Sequence, residues 1–441
     1  MRSLLMLALL ICALTGCAND PPRRLQQAEQ AFNTDGPITR LFHASLYYPS
    51  EIRLQHDGFL VGIEKSSRAR IAGGDIPIAG AAGSGLDDKA ANRLLDDGKV
   101  LFVSHILQAH EGAAPVCAIY NAYAFQDAAQ LVAPCPGALA AGPPVQAYRN
   151  SWEALRQLRV ALDARLEGPT RYSHVLVVTM GWNTDQEEAV RNFNSLANAA
   201  RNAAAPGFMP LVIGVTWPSK WVSAWLDPVF KLASFPNKAH DADELGVTWL
   251  GVLLHDTLAP ARTRGIPVIA IGHSFGSRAM SVAACVGPVI YRDTPIVRAT
   301  IDHVVNWQGA FKSERLFGES SDGFYYPAHC PAVGNLVLTA SSHDDAVKKP
   351  FWGTYAGELK SYLATCSNQK ARCAHAHDTG ALGPTLGPQG SSVLYIDASD
   401  LIRENAFGTG GGAHSDIYRT EHGRMMLLAT GIATTGAPPS P

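Results

Sequence analysis

An excess of charge of either sign is what this chain most lacks: 36 basic residues stand against 38 acidic ones. That balance argues against a nucleic-acid partner and against a polybasic membrane-binding surface. No C-x-x-C occurs, so zinc-ribbon and thioredoxin-like readings are poor. There is no H-x-x-x-H helix and no clustering of carboxylates at ligand spacing, and neither a metal nor a cofactor is expected. Ala374-His375-Ala376-His377-Asp378 is the nearest approach to a metal motif and reads better as a solvated loop. No internal repeat is present, and beyond residue 16 no run is long and apolar enough to cross a bilayer. An apolar content of 47% still provides for a sizeable core.

What is there begins with a targeting signal. Met1-Arg2-Ser3 is a short basic start, and Leu4 to Gly16 is apolar and small, with the length of a signal-peptide core. It ends in Leu14-Thr15-Gly16-Cys17, which resembles the lipobox of bacterial lipoproteins. The resemblance implies cleavage before Cys17 and lipid attachment to that cysteine. Acyl chains contribute about 0.8 kcal/mol per buried methylene, enough for a few of them to hold a chain on a membrane. Lipoproteins kept at an inner membrane usually carry Asp after the cysteine. Ala18 therefore favours the outer membrane, on its periplasmic side, where a cell has two.

Apart from Cys12 and Cys17, the cysteines are Cys117, Cys135, Cys285, Cys330, Cys366 and Cys373. An even set in an exported chain suggests disulfides. Pairing in sequence order is simplest, although other connectivities are open.

The chain divides into a signal (1–16), a polar tether (17–40), a stretch at 41–150, a regular region at 151–430 and a low-complexity tail (431–441) expected to be disordered. Short β-prone runs at 59–63, 100–104 and 116–124 mark the second stretch as either a β-rich extension or the first strands of the main sheet. From 151 onward helices and buried strands alternate. Helices are expected at 151–166, capped by Ser151, at 185–204 and at 243–261. Strands are expected at 174–180, 211–217, 266–271, 296–305, 336–340 and 393–396. This rhythm predicts an α/β fold, a mostly parallel sheet with helices on both faces.

Gly272-His273-Ser274-Phe275-Gly276 lies between the apolar run Ile266–Ile271 and a helix closed by Gly287-Pro288. Strand, G-x-S-x-G, helix is the context of a nucleophile elbow, whose tight turn demands small residues two positions either side of the serine. A serine so placed needs a base and an orienting acid. The apolar run 336–340 ends in Ser341-Ser342-His343-Asp344-Asp345, and the last strand leads to a glycine-rich loop carrying His414. Ser274, Asp344 and His414 then follow the chain order nucleophile, acid, base. Asp345 is the rival acid, and Asp302 is disfavoured because it precedes most of its strand. The backbone N–H of Phe275, and that of Trp182 in Met180-Gly181-Trp182-Asn183, are the candidate oxyanion donors.

These motifs, with Val-Thr-Trp-Pro-Ser at 215–219, resemble the α/β-hydrolase superfamily, in particular a poorly characterised bacterial branch. The similarity covers roughly residues 150–430 and implies Ser274 as nucleophile, Asp344 as acid and His414 as base. Met180 departs from the histidine that the family usually places before the glycine.

Together these features lead to the expectation of a membrane-anchored serine hydrolase cleaving a small or lipid carboxylic ester or thioester. An amidase or peptidase would use the same machinery, and a non-catalytic envelope-binding lipoprotein is the alternative of another class. Trp217, Trp221 and Trp225, with Phe230 and Phe235, could form an apolar lid or acyl pocket, or equally a core under a long loop. The segment 353–390 reads as a second insertion.

Overall fold

In a computed structural model of the chain, residues 53–65, 101–111, 117–122, 132–140, 147–181, 184, 186–219, 238–318, 326, 330, 333–347, 354–384, 392–404 and 412–435 are described. The strands are β1 (Gly58–Lys65), β2 (Leu101–Ala109), β3 (Cys117–Asn121), β4 (Pro134–Leu139), β5 (His174–Thr179), β6 (Pro210–Thr216), β7 (Val268–His273), β8 (Ile301–Trp307), β9 (Val333–Ala340), β10 (Arg372–His375) and β11 (Ser392–Asp397). They form one 11-stranded sheet in the order β10-β11-β9-β8-β7-β5-β6-β1-β2-β3-β4. Only the β1–β2 and β2–β3 ladders are antiparallel. The class is thus α/β with a mostly parallel sheet, and the strands before residue 150 belong to that sheet. β1 runs parallel to β6, with Gly58 opposite Val212.

The helices are α1 (Ala147–Glu167), α2 (Gln186–Ala203), α3 (Trp249–Val252), α4 (Ala259–Thr263), α5 (Phe275–Cys285), α6 (Glu314–Phe317), α7 (Leu359–Ser367) and α8 (Thr420–Ala429), with a further helical stretch at 238–247. Successive side chains of a strand point to opposite faces of its sheet. In β8, Asn306 meets Ser281 of α5 at 3.2 Å, while Trp307 packs edge-on against His422 of α8. Helices therefore cover both faces. The central strands are buried along their length, as parallel strands between helical layers must be.

Several local expectations need correction. Ser151 does not cap α1, which starts earlier, at Ala147; its hydroxyl instead accepts the N–H of Val103 at 2.9 Å, a tertiary contact. The helix expected at 243–261 is broken at Thr248, whose hydroxyl bonds back to the Glu244 carbonyl, and continues as α3, a π-helical turn at Leu253–Thr257 and α4. The strand expected from 296 begins at Ile301. The segment taken as an insertion supplies α7 and β10, which pairs with β11 and extends the sheet.

Three disulfides join the cysteines in sequence order: Cys117–Cys135, Cys285–Cys330 and Cys366–Cys373. The first part of the tail expected to be disordered is instead held against the end of α2, where Ala205 N–H donates to the Ala433 carbonyl and Thr435 N–H to the Ala203 carbonyl, each at 2.9 Å. The signal, Cys17, the tether and residues 436–441 lie outside the described residues. Among the described residues, no helix is long and apolar enough to cross a membrane.

Candidate active site

Parallel pairing in register brings the C-terminal ends of β5, β7, β8, β9 and β11 to one edge, where Thr179 is opposite Gly272, His273 opposite Trp307, and Ala340 opposite Asp397. Open parallel sheets bind their ligands at this edge. The loops leaving these strands carry Gly181, Ser274, Gln308, Asp344 and His414.

Ser274 alone separates β7 from α5. It has φ 57 and ψ −122, a conformation that costs a non-glycine residue about 1–3 kcal/mol. Backbone hydrogen bonds impose it: Ser274 N–H donates to the Trp307 carbonyl at 3.0 Å, and its own carbonyl accepts from Ser277 and Ala310 at 3.1 Å. The flanking glycines are steric necessities. A Cβ on Gly272 would lie 2.5 Å from the Ser277 backbone, and one on Gly276 would lie 2.3 Å from the Thr179 carbonyl. Gly181 passes so close that its Cβ would sit 2.4 Å from the Ser274 Cβ and 2.9 Å from its Oγ. Ser274 keeps a residual 8% exposure.

The loops after β9 and β11 zip together. Asp344 and Gly412 form an isolated antiparallel bridge, and Ala413 N–H donates to the His343 carbonyl at 2.9 Å. Gly412 is required there, because it has φ +60 and a Cβ would meet the His343 carbonyl at 2.5 Å. This zipper puts His414 Nδ1 2.8 Å from Asp344 Oδ2. An ionised carboxylate accepts only, so the ring proton is at Nδ1 and Nε2 is left as an acceptor. Asp344 is wholly buried, and the His414 side chain is 13% exposed. The other carboxylate oxygen of Asp344 accepts the N–H groups of Ala346 and Val347 at 3.0 and 3.3 Å.

The pair lies directly against the serine turn. His273, next to Ser274, donates from Nε2 to the His414 carbonyl at 2.9 Å, and the two rings are 4.8 Å apart. Burial, reinforced by the neighbouring His414, pushes the His273 pKa down to about 3, so it is a neutral donor that fixes the base loop. Of the rival acids, Asp345 flanks Gly412, while Asp302 accepts the Val268 N–H at 2.8 Å, at the opposite end of β7.

Below the turn, Arg278 of α5 and Arg315 of α6 both grip Asp243 at 2.8 Å. Burial pushes the Asp243 carboxyl up, but the two guanidinium groups outweigh it and hold the pKa at about 2. The cluster pins the helix that carries Ser274 to the 238–247 segment.

Trp217 is in the core rather than on an open pocket wall. It is 3% exposed, and its indole N–H holds the Met180 carbonyl at 2.8 Å, bracing the strand end that leads into Gly181. With Met180, Gly181 and Val215 it lines a void of about 10 Å³, room for one water. Phe275 opens α5 and is fully buried. Trp182, Trp221, Trp225, Phe230 and Phe235 lie outside the described residues. His375 and His377 stack at 5.5 Å, and His377 meets Asp400 at 2.9 Å on the exposed side of β10. No group of three metal-ligating side chains occurs among the described residues.

One member of this site was not anticipated from the sequence: Gln308, fully buried, bonds to the same oxygen of Asp344 as His414 does, at 2.8 Å. The available signal was its place immediately after the apolar strand beside the elbow strand. The fold and site define a mostly parallel α/β protein with a serine turn, a histidine and an aspartate at one sheet edge. No protein-family model matches the chain, and no match to it was found among curated proteins or solved structures.

Proposed function

We propose that this protein is a serine hydrolase of the α/β-hydrolase type, cleaving a carboxylic ester or thioester through an acyl-enzyme on Ser274. The observation that carries the reading is the 2.8 Å His414–Asp344 pair, tied through His273 to the adjoining serine held at φ 57. Supporting it are the strand–serine–helix turn and the order in which nucleophile, acid and base follow strands β7, β9 and β11.

In this mechanism His414 Nε2 takes the Ser274 hydroxyl proton as Oγ adds to the substrate carbonyl. The backbone N–H groups of Phe275 and Trp182 hold the resulting oxyanion, helped by the positive end of α5. The intermediate collapses, and the alcohol or thiol leaves with the proton from His414. Water then adds to the acyl-enzyme with His414 again as base, releasing the acid and restoring Ser274. Asp344 holds the ring and stabilises its protonated form. This route calls on no cofactor. A lipid on Cys17 would anchor the enzyme to a bacterial membrane, facing the periplasm where there are two, with small or lipid esters as substrates.

Fluorophosphonate labelling of the protein lacking its lipid, followed by mass mapping, tests the reading. The expected result is one adduct at Ser274, absent in Ser274→Ala. A folded sample that takes no label would return the chain to a binding role.

A further inference from the structure

Gln308 directly follows β8, is fully buried, and adopts φ 46, the left-handed region that favours glycine. A glycine stands next to it at Gly309, yet the strained position carries a long polar side chain. Its backbone N–H and both polar atoms of its side chain have defined partners. Its backbone N–H donates to Thr339 Oγ1 at 3.0 Å, and Thr339 Oγ1 in turn faces Gln308 Oε1 at 3.0 Å, nearer than the Asn306 carbonyl at 3.4 Å. A hydroxyl has one proton, and here it goes to Oε1, which fixes the orientation of the amide. Nε2 is thereby turned to Asp344 Oδ2 at 2.8 Å, with the Gly357 carbonyl at 3.5 Å. Oδ2 thus accepts two hydrogen bonds, from Gln308 and from His414.

We infer that Gln308 is a positioning residue for the acid–base pair, locking the Asp344 carboxylate so that Oδ2 meets His414 Nδ1. The relay runs Thr339 to Gln308 to Asp344 to His414, all through side chains. A neutral donor is required, because the buried aspartate must present a single negative charge to the imidazole; a second carboxylate at this distance would double it. The inference rests on the serine-hydrolase reading for its catalytic meaning, but the acid–base pair can be examined separately.

The His414 ring titration followed by NMR, together with the rate of fluorophosphonate labelling, tests it in the wild type, Gln308→Glu, Gln308→Met and Thr339→Val. The other titratable groups around the pair are the same in all four: His273 from β7, His343 and Asp345 beside Asp344, Glu358 after Gly357, and Asp416 on the base loop. Gln308→Glu should raise the His414 midpoint by about one pH unit or more, since a new carboxylate favours the imidazolium. Gln308→Met keeps the length of the side chain without the donor, and should slow labelling about 10- to 100-fold at the pH plateau. Thr339→Val keeps Gln308 but frees its amide to flip, and should slow labelling in the same direction; it serves as the readout if Gln308→Glu does not fold. An unmoved midpoint in Gln308→Glu, with wild-type labelling in Gln308→Met and Thr339→Val, would overturn the inference. If the wild type takes no label at Ser274 while the midpoint still moves, the positioning role stands and the hydrolase reading falls.

Discussion

At Gly181 a single hydrogen atom separates an open serine from a blocked one. An alanine there would put its Cβ 2.4 Å from the Ser274 Cβ, and neither backbone can retreat from the buried sheet edge. Misplacing a reacting group by about 1 Å can cost on the order of 100-fold in rate. Gly181→Ala is therefore expected to slow fluorophosphonate labelling at least about 100-fold while leaving a cooperative melt, which calorimetry would check. The serine turn was legible in the sequence, because an apolar strand, two glycines and a helix are all local signals. That Asp344 lies at the serine's end of the sheet and Asp302 at the other was also legible, since it depends only on which end of a strand a residue occupies. Gln308 was not, because its role depends on a backbone conformation and on Thr339 and Asp344, partners brought in by other strands. Ser151 was misread for the same reason: a hydroxyl that looks like a helix cap is committed to the amide of Val103.

Among the elements, the best-defended is α5. Its first turn is held by Ser274, its second by the Asp243 cluster, and its end by the Cys285–Cys330 disulfide. Removing one partner of a buried ion pair costs about 3–5 kcal/mol, because the remaining charge is left without its counter-ion. Asp243→Asn leaves both guanidinium groups facing a neutral amide, and urea titration should show a loss in that range with a change in midpoint rather than slope. A loss below about 1 kcal/mol would show that other groups already neutralise the cluster. The strands of this region were readable from their apolar runs, whereas β10 was not. With only four residues, Arg372–His375, it offers no apolar run to read, and as an edge strand it needs no apolar alternation. The broken helix at 238–263 was also hidden, since the interruption at Thr248 is written in hydrogen bonds rather than in hydrophobic period.

Across the whole molecule, buried histidines set the response to acid. Burial lowers His105 and His273 to about 3 and His174, His255 and His422 to about 4, from an ordinary 6.5. Between pH 6.5 and 4 the unfolded chain binds more protons at these sites than the folded one, so stability falls as pH falls. Asp243, held near 2 against its ordinary 3.8, adds a loss of the same sign further down. The melting temperature should be steady near neutrality, decline from about pH 6.5 and drop steeply toward pH 4; a flat curve to pH 4 would contradict it. The same sheet also sets a timetable. Gly58 of β1 needs Val212 of β6 as its neighbour, and the parts gathered around the serine come from Gln308, Asp344 and finally His414. A chain emerging from the ribosome thus carries Ser274 long before His414, and a nascent chain that stops short of Gly412 lacks the zipper that brings the imidazole to the serine turn. On the proposed reading, a copy cut short between Ser274 and Gly412 would be expected to be inert, because the imidazole is added after the serine.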